Sequence, residues 1–219
     1  GQYVTQALVL CPTRELADQV SKELRRLARF TQNIKILTLC GGQPIGPQLD
    51  SLVHPPHIVV GTPGRIQEHL RKQTLSLDAL RILVLDEADR MLDMGFSDDI
   101  DEVIRYTPPR RQTLLFSATY PEGIARISAR VQQDPLDVEI AAEAEQTTIE
   151  QIFVETTREK RLRLLTGTLR HYQPTSCVVF CNTKRDCQEV YEALADENIS
   201  ALALHGDLEQ RDRDQVLVR

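Results

Sequence analysis

The stretch Ile82-Leu83-Val84-Leu85-Asp86-Glu87-Ala88-Asp89 runs four aliphatic residues directly into three acids. Four consecutive apolar side chains have no polar face, so the segment predicts a strand buried on both sides, as in a parallel sheet. The strand then delivers its carboxylates to the C-terminal edge, where open α/β sheets bind their ligands. Ionised carboxylates at such a place need a cation or donors to offset lost hydration. A phosphate-bound Mg²⁺ beside a hydrolytic water would supply both. An acidic first turn of the next helix would explain the same residues with no ligand. The surrounding segments decide between the two readings.

Outward from this stretch, apolar runs recur at 7–11, 34–39, 58–60 and 113–116. Helical patterns over 14–30, 43–52, 65–72, 97–106 and 122–131 separate them. In the first of these, Leu16, Ala17, Val20, Leu24, Leu27 and Ala28 fall at helical spacing behind Thr13, a residue suited to cap the helix. Strand–helix alternation of this kind specifies an α/β fold, a parallel sheet covered by helices on both faces. Residues 137–140 read as a last strand, and the small and acidic run 141–147 as a linker. Alternation resumes with strands at 149–155, 177–181 and 201–204 and helices at 158–172 and 184–195. The predicted organisation is therefore a first lobe at 1–140, a linker at 141–147 and an incomplete second lobe at 148–219. A unit of about 70 residues buries only about 60% of its unfolded surface, so the second lobe is expected to be marginal alone.

Composition bounds the rest. With 219 residues, 41% hydrophobic and 26% charged, the chain has the make-up of a soluble globular protein. Its apolar stretches have strand length, which predicts no membrane association. Five cysteines form no C-x-x-C pair and no disulfide framework, and reduced thiols suit the cytoplasm. Cys177 and Cys181 flank Val178-Val179-Phe180 and are expected to face one side of a buried strand. A net charge of −6 excludes a uniformly basic surface but not a local groove for phosphates.

Pro12-Thr13-Arg14-Glu15-Leu16-Ala17 follows the first strand and opens a helix, and Thr62-Pro63-Gly64-Arg65 repeats the arrangement after the third. Each turn by itself is an ordinary helix cap. Two of them on one sheet edge, each with a guanidinium, suggest a track for a phosphodiester backbone. Gly41-Gly42 adds a place where backbone can approach a ligand closely. The spacing Gly41 to Gly46 imitates a phosphate-binding loop, but Pro47 and Gln48 stand where lysine and a hydroxyl are needed, so it is a decoy. Ser117-Ala118-Thr119 ends the fifth strand, within prospective hydrogen-bonding reach of Asp89. In the second lobe, Asn182-Thr183 and His205-Gly206-Asp207 follow strands, and Gln210 and Arg213 share a helix face. His205 lacks companions at metal-ligand spacing.

Taken in order, these segments resemble the DEAD-box family of ATP-dependent RNA helicases from about Gln6 to Arg219. Arg90–Phe96 and Leu204–Arg219 look particularly like its bacterial DbpA subfamily. The resemblance implies two RecA-like lobes that close over ATP, Mg²⁺ and single-stranded RNA. It gives Asp86 a hold on Mg²⁺ largely through water, and Glu87 the attacking water. Asp89, Ser117 and Thr119 become the link between hydrolysis and closure. Pro12, Thr13, Arg14, Gly42, Thr62, Pro63, Gly64 and Arg65 become RNA contacts, continued by Thr183, His205, Gly206, Gln210 and Arg213. The implied function is RNA-stimulated ATP hydrolysis coupled to local duplex unwinding or ribonucleoprotein remodelling, with ribosomal RNA as target in large-subunit assembly. A monomer is expected. The family's P-loop and arginine-finger motifs would lie before Gly1 and after Arg219, so residues 1–219 alone are expected to be catalytically silent. A DNA-directed helicase and an RNA-binding pseudoenzyme are the competing readings.

Overall fold

The computed structural model describes residues 4–140 and 149–208. Contacts divide the chain into two compact units, 1–139 and 140–219. The first contains one five-stranded sheet of β1 (Ala7–Leu10), β2 (Ile36–Leu39), β3 (Ile58–Gly61), β4 (Ile82–Leu85) and β5 (Gln112–Leu115). Strand order is β2-β3-β1-β4-β5, and every neighbouring pair is parallel. Each apolar run of the sequence reading in this unit thus becomes a strand within two residues of its expected limits, apart from 137–140.

Side chains alternate across the pleat, so each strand feeds two cores. Leu8, Leu10, Leu39, Val59, Leu83 and Leu85 face one way. They pack with Ile66 and Leu70 of α3 (Pro63–Arg71), Met91 of α4 (Ala88–Asp93), Ile100 of α5 (Ser97–Arg105) and Ile124 of α6 (Glu122–Val131). Val9, Cys11, Cys40 and Val60 face the other way, onto Ala17, Leu16 and Val20 of α1 (Arg14–Leu27). The helix α1 closes in a 3₁₀ turn, Ala28–Phe30. Between β2 and β3, α2 (Gly46–Leu52) starts three residues later than the sequence pattern suggests. Pro47 in its first turn fixes that start, since proline fits where no amide donor is needed.

Register positions the site. Leu10 lies opposite both Gly61 and Leu85, Gly61 opposite Leu39, and Leu85 opposite Leu115. All five strands therefore end on one line. On the outer edge, the carbonyls of Lys35, just before β2, and of Leu39 accept amides of the β3 side. The outward Ile36 carbonyl accepts from Arg25 of α1 at 3.3 Å, and Thr38 Oγ1 accepts from the same guanidinium at 3.4 Å.

In the second unit, α7 (Arg161–Tyr172) and α8 (Lys184–Asp196) form where helices are expected. The strands expected at 137–140, 149–155, 177–181 and 201–204 do not form among the described residues. Val138, Ile140, Phe153, Val178 and Phe180 are exposed, and so is Cys177, contrary to the buried strand expected there. An apolar run becomes a strand only when a neighbour accepts and donates along its length, and no such ladder is made here. The expected linker at 141–147 lies outside the described residues.

One glycine is forced by this packing. A Cβ on Gly61 would stand 2.3 Å from the Leu39 carbonyl oxygen and 2.8 Å from Ile66 Cδ1. Gly61→Ala must push β2 or α3 away, so urea unfolding should show a loss of about 1–3 kcal/mol, the usual range for overpacking a tight core.

Candidate functional site

Beyond the line of strand ends, the Asp86 amide donates to the Leu10 carbonyl at 3.0 Å and extends the β1–β4 ladder by one bond. Its carboxylate, half-buried, accepts the Glu87 amide on Oδ1 at 3.1 Å. Glu87 then turns left-handed, with φ 50° and ψ 53°, as the cap of α4. A non-glycine residue pays roughly 1–2 kcal/mol to sit there, and such strain collects where a side chain must be aimed. The Ala88 amide donates to the Phe116 carbonyl at 3.0 Å, tying the turn to the end of β5. On the outer side, Arg90 Nη1 lies 3.4 Å from Glu87 Oε2.

Burial pushes the Asp86 carboxyl above its ordinary range; the Glu87 amide pulls it back, and the Glu87 charge adds to the rise. Asp89 goes the other way. Burial would raise it, but the Thr119 hydroxyl and amide, the Arg90 amide and Ser117 together hold it below the ordinary range. Thr119 donates to Asp89 Oδ2 twice, from Oγ1 at 2.8 Å and from its amide at 3.0 Å. The Asp89 amide donates to Ser117 Oγ at 3.3 Å, and that hydroxyl donates to the Thr119 carbonyl at 2.6 Å. Two neighbouring acids thus have opposite characters. Asp89 is saturated by donors, while Asp86 pairs with no cationic side chain among the described residues.

The phosphate-type turns occupy the other half of the line. Thr13 caps α1, its Oγ1 accepting the Leu16 amide at 3.3 Å. Thr62 Oγ1 accepts the Gly41 amide at 3.2 Å, which joins the turn after β3 to the turn after β2. Gly42 has φ +70°, and a Cβ there would stand 2.2 Å from Arg14 Nη2, so the guanidinium lies directly on glycine backbone. Arg65 Nη2 donates to the Gln43 carbonyl at 2.9 Å. The two arginines therefore converge on one glycine turn. Nη1 of each is buried and has no hydrogen-bond partner among the described residues. A buried guanidinium N–H without an acceptor asks for an anion. Apart from the adjoining backbone, no protein atom lies within 4 Å of a Cβ built on Gly41 or Gly64, so tertiary packing does not require glycine at either place.

In the second unit, Thr183 caps α8 by accepting the Asp186 amide at 3.0 Å. Lys184 pairs with Asp207, which draws the His205-Gly206-Asp207 turn toward that helix start. His205 Nδ1 is buried without a partner among the described residues. Gln210 and Arg213 lie outside the described residues.

The first unit's arrangement coincides with a family signature. The family model described as DEAD/DEAH box helicase matches residues 2–127, and the one described as helicase conserved C-terminal domain matches residues 157–219. The chain belongs to the DEAD/DEAH box helicase family. It is 67% identical over 217 residues to the ATP-dependent RNA helicase DbpA of Escherichia coli, covering 99% of this chain and 48% of that protein. It is 45% identical to the ATP-dependent RNA helicase CshA of Listeria monocytogenes, covering 97% of this chain and 41% of the relative. The chain thus spans about half the length of the curated relatives it matches. Among solved structures, Saccharomyces cerevisiae Dbp5 bound to RNA and ADP BeF3 is 28% identical with a TM-score of 0.83, covering 99% of this chain and 55% of that one. A DEAD box protein from Methanococcus jannaschii is 37% identical with a TM-score of 0.61, covering 98% and 58%.

Four residues of this helicase domain escape the sequence reading. Gly61 hides inside an apolar run. Arg90 follows the acid cluster and looks like an ordinary helix charge. Gln48, read only as a failed P-loop position, is buried at 6% exposure and hydrogen-bonded to His69, which is fully buried. A glutamine and a histidine at core-facing helix positions are the signal that could have found the last pair.

The downward shift of Asp89 fixes a pH dependence. Its contribution is fully present above the unfolded carboxylate value of about 3.9 and is lost as pH falls through the lower folded value. Asp89→Asn should therefore lower the thermal midpoint near pH 7, and the gap to the parent should narrow as pH drops below about 4.

Proposed function

We propose that the protein carrying this chain is an ATP-dependent RNA helicase of the DbpA type, in which RNA stimulates ATP hydrolysis and hydrolysis drives local duplex opening or ribonucleoprotein remodelling. One observation carries the reading. A single line of strand ends holds two adjacent acids, Glu87 and an Asp86 that has no cationic side-chain partner among the described residues, beside two arginines whose buried Nη1 atoms lack acceptors there. The first suits a metal–phosphate group, the second a nucleic-acid backbone.

Asp86 is the residue to hold Mg²⁺. Its raised carboxyl, with Glu87 beside it, makes a locally negative place that a divalent cation would neutralise. No group of three or more acid, histidine or cysteine side chains forms a cage among the described residues. That fits Mg²⁺, which keeps several waters and takes one or two carboxylates plus phosphate oxygens. When bound, the ion neutralises charge on the terminal phosphates. Glu87, aimed by its left-handed backbone, orients the attacking water and accepts its proton as the bond from the γ-phosphorus to the leaving oxygen breaks. Asp89, held by Thr119 and Ser117, transmits the state of this turn to the end of β5.

Thr13, Arg14, Gly42, Thr62, Gly64 and Arg65 form the first-unit part of an RNA track that reads backbone shape and 2′-hydroxyls. Thr183, His205, Gly206, Gln210 and Arg213 are the proposed RNA contacts of the second unit. Opening a few pairs by bending one strand asks for only a few stacking steps of about 1.4 kcal/mol each, a DNA figure. Ribosomal RNA is the proposed target, with large-subunit assembly as the setting and the cytoplasm as the place. Among the described residues no helix is long and apolar enough to cross a membrane.

In the full-length protein, Glu87→Gln should keep ATP and RNA binding, measured by fluorescence titration, and lose turnover; unchanged ATPase would remove Glu87 from its role. RNA should stimulate the ATPase more than DNA of the same sequence, and equal stimulation would favour a DNA-directed helicase. Ser117→Ala with Thr119→Ala should depress strand separation more than hydrolysis, and an equal fall in both would contradict the coupling role.

A further inference from the structure

Beneath the glycine turn after β2 and the Arg65 turn after β3 runs a buried polar chain that the reading above does not use. Gln48 of α2 donates from Nε2 to the Cys40 carbonyl at 3.1 Å, at the last residue before Gly41. Its Oε1 lies 2.9 Å from His69 Nε2 of α3. His69 Nδ1 in turn meets Thr74 Oγ1 at 2.8 Å, in the turn that leaves α3. Because Gln48 commits its amide nitrogen to a carbonyl, its oxygen faces His69, and the Nε2 proton of His69 must point at that oxygen. Burial, and then the nearby Arg65 charge, hold the imidazole below its ordinary pKa, which suits a neutral ring in this place.

The chain spans the two turns from below, as Thr62 and Arg65 span them from above. Gly41–Gln43 is tied to Thr62–Arg65 by the Gly41 amide to Thr62 Oγ1 and by Arg65 Nη2 to the Gln43 carbonyl. Both of those bonds lie at exposed or half-buried positions, where a ligand can compete for them. The Gln48–His69 bond lies where neither water nor ligand reaches.

We propose that Gln48 and His69 are positioning residues: they fix the spacing between the glycine turn after β2 and the Arg65 turn after β3, and so set the affinity of the groove for a nucleic-acid backbone without touching it. The proposal rests on the RNA-track reading above. A phosphodiester backbone has a fixed repeat, so the glycine turn, on which the Arg14 guanidinium lies, and the Arg65 turn grip successive phosphates only at a matching separation. Losing the buried bond leaves the Cys40 carbonyl or the imidazole unsatisfied and lets α2 and α3 drift apart.

The test uses the full-length protein with a single-stranded RNA and ATP. His69→Phe keeps a ring and removes both nitrogens. His69→Gln restores one donor near the position of Nε2. His69→Phe should raise the RNA concentration for half-maximal ATPase on the order of 10-fold, with the ATP KM and the kcat at saturating RNA within about 2-fold. His69→Gln should recover most of the lost RNA affinity. Gln48→Met, which keeps length and removes both polar atoms, should repeat the His69→Phe pattern and decides the matter if His69→Phe does not fold by circular dichroism. An unchanged RNA half-saturation in a folded variant overturns the proposal. So does a fall in kcat with RNA affinity intact, which would mark a merely structural role. If the parent's ATPase does not respond to RNA, the RNA-track reading itself has failed; an RNA response with no effect of these variants sinks the positioning role alone.

Discussion

Parallel pairing in strict register is the constraint on which the first unit depends. Leu39, Gly61, Leu10, Leu85 and Leu115 share a line because each strand is hydrogen-bonded to its neighbour with no bulge between them. Whatever follows each strand must therefore start at the same height. The acids after β4, the hydroxyls after β5 and the arginine turns after β1 and β3 are brought together by the ladder and need no mutual attraction. That matters because the adjacent Asp86 and Glu87 carboxylates repel one another once this half-buried edge limits their hydration. The apolar side chains beneath, buried on both faces, supply the free energy that holds like charges side by side.

The acid cluster is divided by hydrogen bonding, not by sequence distance. Asp86 and Asp89 are three residues apart, yet burial dominates one and donors dominate the other. The left-handed turn at Glu87 separates them, sending one carboxylate outward and feeding the other into the β5 end. Two thiols near these turns show the complementary effect. Burial pushes Cys11 up to about 12 and Cys40 up to about 11, so both remain protonated core residues beside charged neighbours.

The legible part of this fold is the part whose apolar runs find neighbouring strands to pair with. Runs such as Ile82–Leu85 announce strands because several neighbours of the same kind exist for them to pair with, and Thr13 announces a helix start because its cap is local. The runs at 149–155, 177–181 and 201–204 look equally strand-like in isolation. They fail for want of a ladder, which propensity cannot see. At the site, residue types and their order were readable at Asp86, Glu87, Asp89, Arg14 and Arg65. Conformation was not: neither the left-handed Glu87 nor the guanidinium lying on Gly42 leaves a trace in spacing. Gln48 and His69 were invisible for a different reason, since a buried polar pair is recognised only when both ends of its hydrogen bond are seen.

Arg25 has an effect beyond joining α1 to β2. The outermost strand of an open sheet offers its unused carbonyls to any extended peptide that drifts alongside, and Ile36–Leu39 is apolar enough to invite one. With the Ile36 oxygen already occupied by a guanidinium, a foreign chain would have to displace a cation to add itself there. The flank farthest from the acids is in this way guarded against edge-to-edge pairing with a second extended chain.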